Sequence, residues 1–226
     1  MQEQFDFIAI GDIVNDEFIE LNKENARSVK DLNTGRDQLV MNFGDKLEYE
    51  DFVVVPAVGN CQNAAVSAHR LGLKVGLVTD LGDDEEGEQM IAQLKKEGID
   101  TRFVKRHKNK KSNHHYVLRL GAERTILIKH EKYPYVLPDI GEPTWLYFSS
   151  VGEYNSLQYH KDVARYVQSH PKTQLAFQPG SFQIKLGFET LKEVYQVSSL
   201  FFCNKEEAQS ILGSRQSDMK EILKQM

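Results

Sequence analysis

A single glycine opens a small-residue helix in the stretch Ala57-Val58-Gly59-Asn60-Cys61-Gln62-Asn63-Ala64-Ala65, which the pattern ends at Arg70-Leu71-Gly72. A β-like run from Lys74 to Thr79 follows at once, then Gly82-Asp83-Asp84. This succession narrows the possible folds more than any other feature of the chain. A helix whose inner face reads Ala64, Ala65, Ala68 and Leu71 permits close approach to a sheet, and the strand after it extends the same layer. A helix start carries unpaired N–H groups and positive dipole character. A glycine there admits a ligand to the backbone, and asparagine side chains add donors and acceptors. Together these features suit a hydroxyl-rich small molecule.

The rest of the chain extends the alternation. Phe5 to Ile10 reads as a buried strand ending at Gly11. From Asp12 to about Val55 there is no helical period; Glu17–Leu21, Gln38–Phe43 and Asp51–Val55 read as short strands of an auxiliary sheet outside the main layer. A strand at Val75–Thr79 leads to a helix near Glu85–Glu97, capped by Asp83 or Asp84 and stopped by Gly98. β-like runs follow at Arg102–Arg106, His114–Leu120 and Thr125–His130, with a hairpin signal at Gly121-Ala122-Glu123. Thr144–Ser149, Gln174–Phe177 and Leu200–Cys203 read as further core strands, with helical patterns at Leu157–Ser169, Gly187–Tyr195 and Glu206–Leu212. This spacing predicts an α/β fold, a mostly parallel sheet with helices on both faces. The last helical pattern, Met219–Met226, leads to no further strand.

Composition excludes several roles. The 226 residues suffice for one large α/β domain, and 40% hydrophobic with 27% charged residues is an ordinary globular balance. A net charge of −5 gives little support to nucleic-acid binding. No apolar run approaches the roughly 20 residues that span a bilayer, and Met1-Gln2-Glu3-Gln4 lacks the start of a signal peptide. Two cysteines, Cys61 and Cys203, make no disulfide framework or metal knuckle. A cytoplasmic location is the expectation.

Gly11-Asp12-Ile13-Val14-Asn15-Asp16 after the first strand, Val58-Gly59-Asn60-Cys61-Gln62-Asn63 at the first core helix, the spacing Asn63–Ala65–Gly72–Gly82 and Asn204-Lys205-Glu206-Glu207 after a late strand fall in one order. In that order and spacing the chain resembles the ribokinase-like (PfkB) carbohydrate kinases, over the first two thirds of a typical member. The resemblance implies a Rossmann-like three-layer sandwich over residues 1–226 with a small β-sheet lid, its strands from about 12–55 and 102–130. It implies transfer of the ATP γ-phosphoryl to a hydroxyl of a sugar or nucleoside, with Mg²⁺. By that resemblance Asp16, with Asp12 beside it, binds substrate hydroxyls; Gly59 and Asn63, with Asn60 between them, complete the substrate site; Asn204 and Glu207 help place Mg²⁺ and phosphate through water. Relatives of this kind often pair through the lid, so a homodimer is a further expectation. Physical chemistry agrees: a carboxylate accepts two hydroxyl bonds, charge-assisted and about twice as strong as neutral ones, and Mg²⁺ keeps several waters.

The sequence departs from the family pattern at three places. Val58 stands where a first glycine is usual, so it must take negative φ or carry strain. Gln178-Pro179-Gly180 stands where an acidic residue usually precedes Pro. The Gly-Ala-Gly-Asp segment, which supplies the anion hole and the Asp base, has no counterpart from Met1 to Met226, nor is there a GxxxxGK[ST] loop. No catalytic base and no direct metal ligand are therefore expected in this chain, whose own turnover should be lost; the alternative is a non-catalytic sugar- or nucleoside-binding protein. Plainer readings apply elsewhere. His114 and His115, strand neighbours on opposite faces, read as structural or lid histidines. Lys105–Lys111 reads as a solvated turn, Asp83–Glu86 as an acidic helix start, and Cys61 as a small packing residue. Asn60 reads as the helix cap, and Asn204 with Glu207 is explicable as a helix start alone.

Overall fold

The computed structural model describes residues 4–226. In chain order the strands are β1 (Phe7–Ile10), β2 (Val14–Leu21), β3 (Ala26–Lys30), β4 (Asp37–Met41), β5 (Tyr49–Val58), β6 (Val75–Gly82), β7 (Val104–His107), β8 (His114–Leu120), β9 (Glu123–Lys129), β10 (Trp145–Phe148), β11 (Gln174–Phe177) and β12 (Ser198–Phe201). The helices are α1 (Asn60–Arg70), α2 (Glu85–Lys96), α3 (Ser156–Ser169), α4 (Ser181–Leu186), α5 (Lys192–Val197), α6 (Lys205–Leu212) and α7 (Met219–Gln225). No helix among the described residues is long and apolar enough to cross a membrane.

Six strands form the central sheet in the order β12-β11-β10-β1-β6-β7, each pair parallel. Successive strand side chains point to opposite faces, and both faces are covered. Ile8, Ile10, Leu146, Phe148, Leu175 and Phe177 point to the face where Tyr159 and Val163 of α3 and Val194 of α5 pack. Ala9, Leu77, Tyr147 and Ala176 point the other way, onto Cys61, Ala65 and Ala68 of α1 and Met90 and Leu94 of α2. The small side chains on that second face let α1 sit close to the sheet. Each large apolar side chain buried here stabilises the fold by about 1.5–3 kcal/mol.

His160 of α3 is an exception in the apolar layer. It is buried against Phe148 and Phe177. Its Nδ1 lies 2.6 Å from the Ser156 carbonyl, and Nε2 has no hydrogen-bond partner. Burial pushes its pKa down to about 4, against a partial upward pull from the Ser156 carbonyl.

A second sheet, order β5-β2-β8-β9, and the separate hairpin β3-β4 branch from the ends of the core strands. The hairpin turn between β8 and β9 falls at Gly121, whose φ of 64° suits glycine. The strand expected at Arg102–Arg106 as part of the lid lies instead in the central sheet. Because β6 continues to Gly82, it offers Thr79–Gly82 as a parallel edge that Val104–His107 completes. Leu71, expected on the inner face of α1, is 84% exposed, because the helix ends at Arg70 and Cys61, Gln62 and Val66 complete the buried face. The helix expected at Gly187–Tyr195 is broken: Gly187, at φ 85°, ends α4, and the chain re-enters through a short 3₁₀ turn at Glu189–Leu191 before α5.

Candidate acceptor site at the strand switch point

Strand order reverses between β1 and β10: the chain leaves β1 toward β6 on one side and later returns to β10 on the other. In open α/β sheets the crevice beyond the carboxyl ends of two such strands is where ligands bind. Here it is framed by Gly11-Asp12 after β1 and Ser149–Gly152 after β10, joined by Asp12 N–H donating to the Ser150 carbonyl at 2.8 Å.

The Asp12 side chain, 4% exposed, turns into this crevice. Its Oδ2 accepts from the Tyr135 hydroxyl and from Gly152 N–H, both at 2.8 Å, while Oδ1 is buried with no hydrogen-bond partner. The Tyr135 hydroxyl is pushed well above its ordinary pKa, first by burial and then by the Asp12 charge, and so stays a donor. From the second sheet, His130, just past β9, brings Nδ1 to 3.5 Å from Asp12 Oδ2 without making a hydrogen bond. Its ring meets His115 edge to face at 5.3 Å. His115 sits on β8 opposite Asp16 of β2 in register. Its Nδ1 lies 3.3 Å from Asp16 Oδ1, yet neither Asp16 Oδ1 nor His115 Nε2 has a hydrogen-bond partner.

Asp12, His130, His115 and Asp16 thus form a row from the core to the second sheet. Along it, Asp12 Oδ1, His130 Nδ1, His115 Nε2 and Asp16 Oδ1 are buried and unsatisfied. Buried polar atoms are nearly always paired, and an unpaired one costs about 1–3 kcal/mol. Four at one switch point form a ready set of acceptors and donors for a polyhydroxylated guest.

The glycine of the opening turn is fixed by the same crevice. Gly59 has φ 144°, and a Cβ there would meet the Asp12 carbonyl oxygen at 2.7 Å. Positive φ falls on Ala57 (56°) and Gly59 and not on Val58, which meets the first of the two conditions set by its sequence. Gly59, not Asn60, occupies the cap position of α1. Asn60 and Asn63 stand exposed on the first turn, and the Asn63 N–H is taken by the Gly59 carbonyl at 2.9 Å. The structure therefore draws Asp12, Asp16 and Gly59 around the crevice and leaves the two asparagine side chains exposed to solvent.

The other polar motifs have structural partners. Asn204 Oδ1 accepts from Glu207 N–H at 2.8 Å, and Asn204 N–H donates to Glu207 Oε2 at 2.9 Å, a capping box that starts α6. Asp84 caps α2 through Gly87 N–H at 3.0 Å and also accepts from Ser112 N–H and hydroxyl. Of the run expected as a solvated turn, Lys105–His107 lies instead in β7, where Arg106 pairs with Asp83 at 2.8 Å and His107 with buried Asp80 at 2.6 Å. Cys61 is buried, its thiol pushed far up by burial and by the Asp12 charge, and it donates weakly to the Asp12 carbonyl at 3.3 Å. Gln178 accepts from the Tyr147 hydroxyl. No cluster of three or more metal-ligating side chains occurs among the described residues. Tyr135 and His130 are absent from the sequence-level site. Each lies more than a hundred residues from Asp12, and only the strand order brings them to it.

Comparison with known proteins agrees with this fold. The family model described as "pfkB family carbohydrate kinase" matches residues 31–226. Over 92 residues the chain is 33% identical to a Pyrococcus horikoshii protein named "Putative sugar kinase PH1459", an alignment covering 41% of this chain and 29% of that one. The structure of Arabidopsis thaliana ribokinase complexed with ribose and ATP superposes with a TM-score of 0.76 at 14% identity, over 99% of this chain and 67% of that one. Methanocaldococcus jannaschii nucleoside kinase superposes with a TM-score of 0.70 at 13% identity, over 98% and 68%. At those identities the two structures share the fold, and the chain spans about two thirds of their length. It spans 29% of the curated relative. By its family model and its fold, the chain belongs to the pfkB family of carbohydrate kinases.

Proposed function

We propose that this chain forms the acceptor-binding part of an ATP-dependent kinase that phosphorylates a hydroxyl of a sugar or nucleoside. The observation that carries the reading is the row of four unsatisfied buried polar atoms on Asp12, His130, His115 and Asp16. In the reaction the acceptor oxygen bonds to the γ-phosphorus, the bond to ADP breaks, and the hydroxyl proton passes to a base. Such transfer depends mainly on positioning and charge neutralisation. Asp12 and Asp16 orient the acceptor, Gly59 lets it approach the turn, and the second sheet acts as a lid that excludes water as a competing acceptor. Asn63 and Asn60 close the solvent side. Asn204 and Glu207, committed to each other in the capping box, would meet a hydrated Mg²⁺ only through water. The base and nucleotide site implied by the family resemblance have no counterpart from Met1 to Met226, so this chain alone turns over little or nothing. The two cysteines, neither in a disulfide, suit a cytoplasmic setting.

Calorimetric titration tests the reading. D-ribose or adenosine is expected to bind the wild-type chain, and Asp16→Asn is expected to weaken that binding roughly 10–100-fold by removing a charged hydrogen-bond partner. Failure of both ligands to bind, or equal binding by the variant, would overturn it.

The lid also bears on assembly. Phe52, Val54, Tyr116 and Leu127 are exposed on one face of a sheet whose outer strands β5 and β9 are open at their edges, the face opposite the one that carries Asp16 and His115. Exposed apolar patches on open strands mark pairing surfaces, and the proposed occupant is the lid of a second copy. Sedimentation is expected to show a concentration-dependent dimer that the double substitution Phe52→Lys, Val54→Lys converts to monomer. A wild-type monomer at all concentrations would contradict the pairing.

A further inference from the structure

The acceptor row does not end at His130. Its ring also stands edge to face with Phe182 of α4 at 5.5 Å. Beyond it lies a cavity of about 410 Å³, lined by Ile128, His130, Lys132, Glu153, Tyr154 and Phe182 among others. The cavity sits between the lid and the loops that follow β10 and β11, on the same carboxyl-end surface as the acceptor site. One residue, His130, faces both.

The two compartments differ in chemistry. The Asp12–Asp16 row offers unsatisfied acceptors and donors and suits a ring that carries hydroxyls. The cavity beyond offers the apolar side chain of Ile128 and the rings of Tyr154 and Phe182, with charged groups of Glu131, Lys132 and Glu153 around them. Tyr154 is 51% exposed, an aromatic ring left largely uncovered, with the Lys132 ammonium 6.0 Å from its centroid. A bare monosaccharide needs hydrogen-bond partners around its whole edge, and burial against apolar walls penalises it. A nucleobase presents two apolar faces to aromatic rings and a polar edge to charged groups, and stacks on such rings whatever its identity.

Resting on the acceptor reading above, we infer that the acceptor is a nucleoside. Its ribose hydroxyls lie on the Asp12–His130–His115–Asp16 row, and its base lies in the cavity between Tyr154 and Phe182. His130 is the shared wall that sets the angle between the two halves. The single-ring sugar fills the first compartment only.

The test is calorimetric titration of the wild-type chain and of Tyr154→Ala, Phe182→Leu and Asp16→Asn with D-ribose, D-fructose, adenosine and uridine. Adenosine or uridine is expected to bind at least about tenfold more tightly than ribose, the gain of one stacked base. Tyr154→Ala, on an exposed loop where folding is not at risk, is expected to remove most of that advantage while leaving ribose affinity unchanged; Phe182→Leu is expected to act in the same direction. Ribose or fructose binding as tightly as both nucleosides overturns the inference while leaving the acceptor site standing. So does a Tyr154→Ala effect equal on sugar and nucleoside. If no ligand binds the wild type, or Asp16→Asn changes nothing, the acceptor reading itself fails, and the inference with it.

Discussion

Gly59→Ala is expected to lower the thermal midpoint by several degrees and to abolish acceptor binding. The added methyl would lie 2.7 Å from the Asp12 carbonyl oxygen, a backbone atom that cannot swing aside, and φ at this position is 144°. Overpacking costs about 1–3 kcal/mol and a disfavoured backbone conformation about 1–3 more. Relief requires the start of α1 to move away from the end of β1, and that movement displaces Asp12 from Tyr135 and Gly152. Stability and binding therefore fall together. Asn60→Ala, one residue on, is the control: Asn60 is exposed and makes no cap bond, so a change within about 0.5 kcal/mol is expected. Thermal melts of the two variants decide it. Equal melts would show that the Gly59–Asp12 contact does not constrain the fold.

The second large effect is acid sensitivity centred on His160. Its folded pKa is about 4 against an ordinary value of 6.5, because burial between Phe148 and Phe177 disfavours the charged ring. Below pH 6.5 the unfolded chain binds a proton that the folded chain refuses. The stability from this group is therefore complete above pH 6.5 and is lost as pH falls toward 4. About 2–3 kcal/mol should disappear between pH 7.5 and 4.5. Denaturant midpoints at the two pH values, compared for wild type and His160→Leu, isolate the group from the carboxylates that titrate alongside. The variant should lose about 2–3 kcal/mol less than wild type over that interval; parallel losses would contradict the assignment.

The central layer was legible because its strands are buried on both faces and read as short apolar runs, such as Phe7–Ile10 and Trp145–Phe148, between helical periods. β7 was readable as a strand but not placeable. Val104-Lys105-Arg106-His107 is an edge strand with two charged residues, and its partner is chosen by the length of β6. The capping box at Asn204 and Glu207 follows from local spacing, and the structure makes that bond pair. Asp12 and Asp16 are singled out in sequence by the family resemblance, which places a substrate-binding Asp after the first strand. Their common setting is not, since it depends on strand order. β2 pairs with β8, which brings His115 to Asp16, and β9 then delivers His130 to Asp12. A histidine pair split between β8 and the residue after β9 carries no local pattern, whereas His114 and His115 are neighbours in the chain.

The most direct measurement is the pair of imidazole resonances of His115 and His130, followed by nuclear magnetic resonance as D-ribose or adenosine is added. Both are expected to shift with the same saturation curve, while those of His69 and His170, remote on α1 and at the end of α3, stay in place; Asp16→Asn should shift the curve to higher ligand concentration. Saturable binding that leaves His115 and His130 unmoved would place the ligand elsewhere and contradict an acceptor seated on the Asp12–Asp16 row.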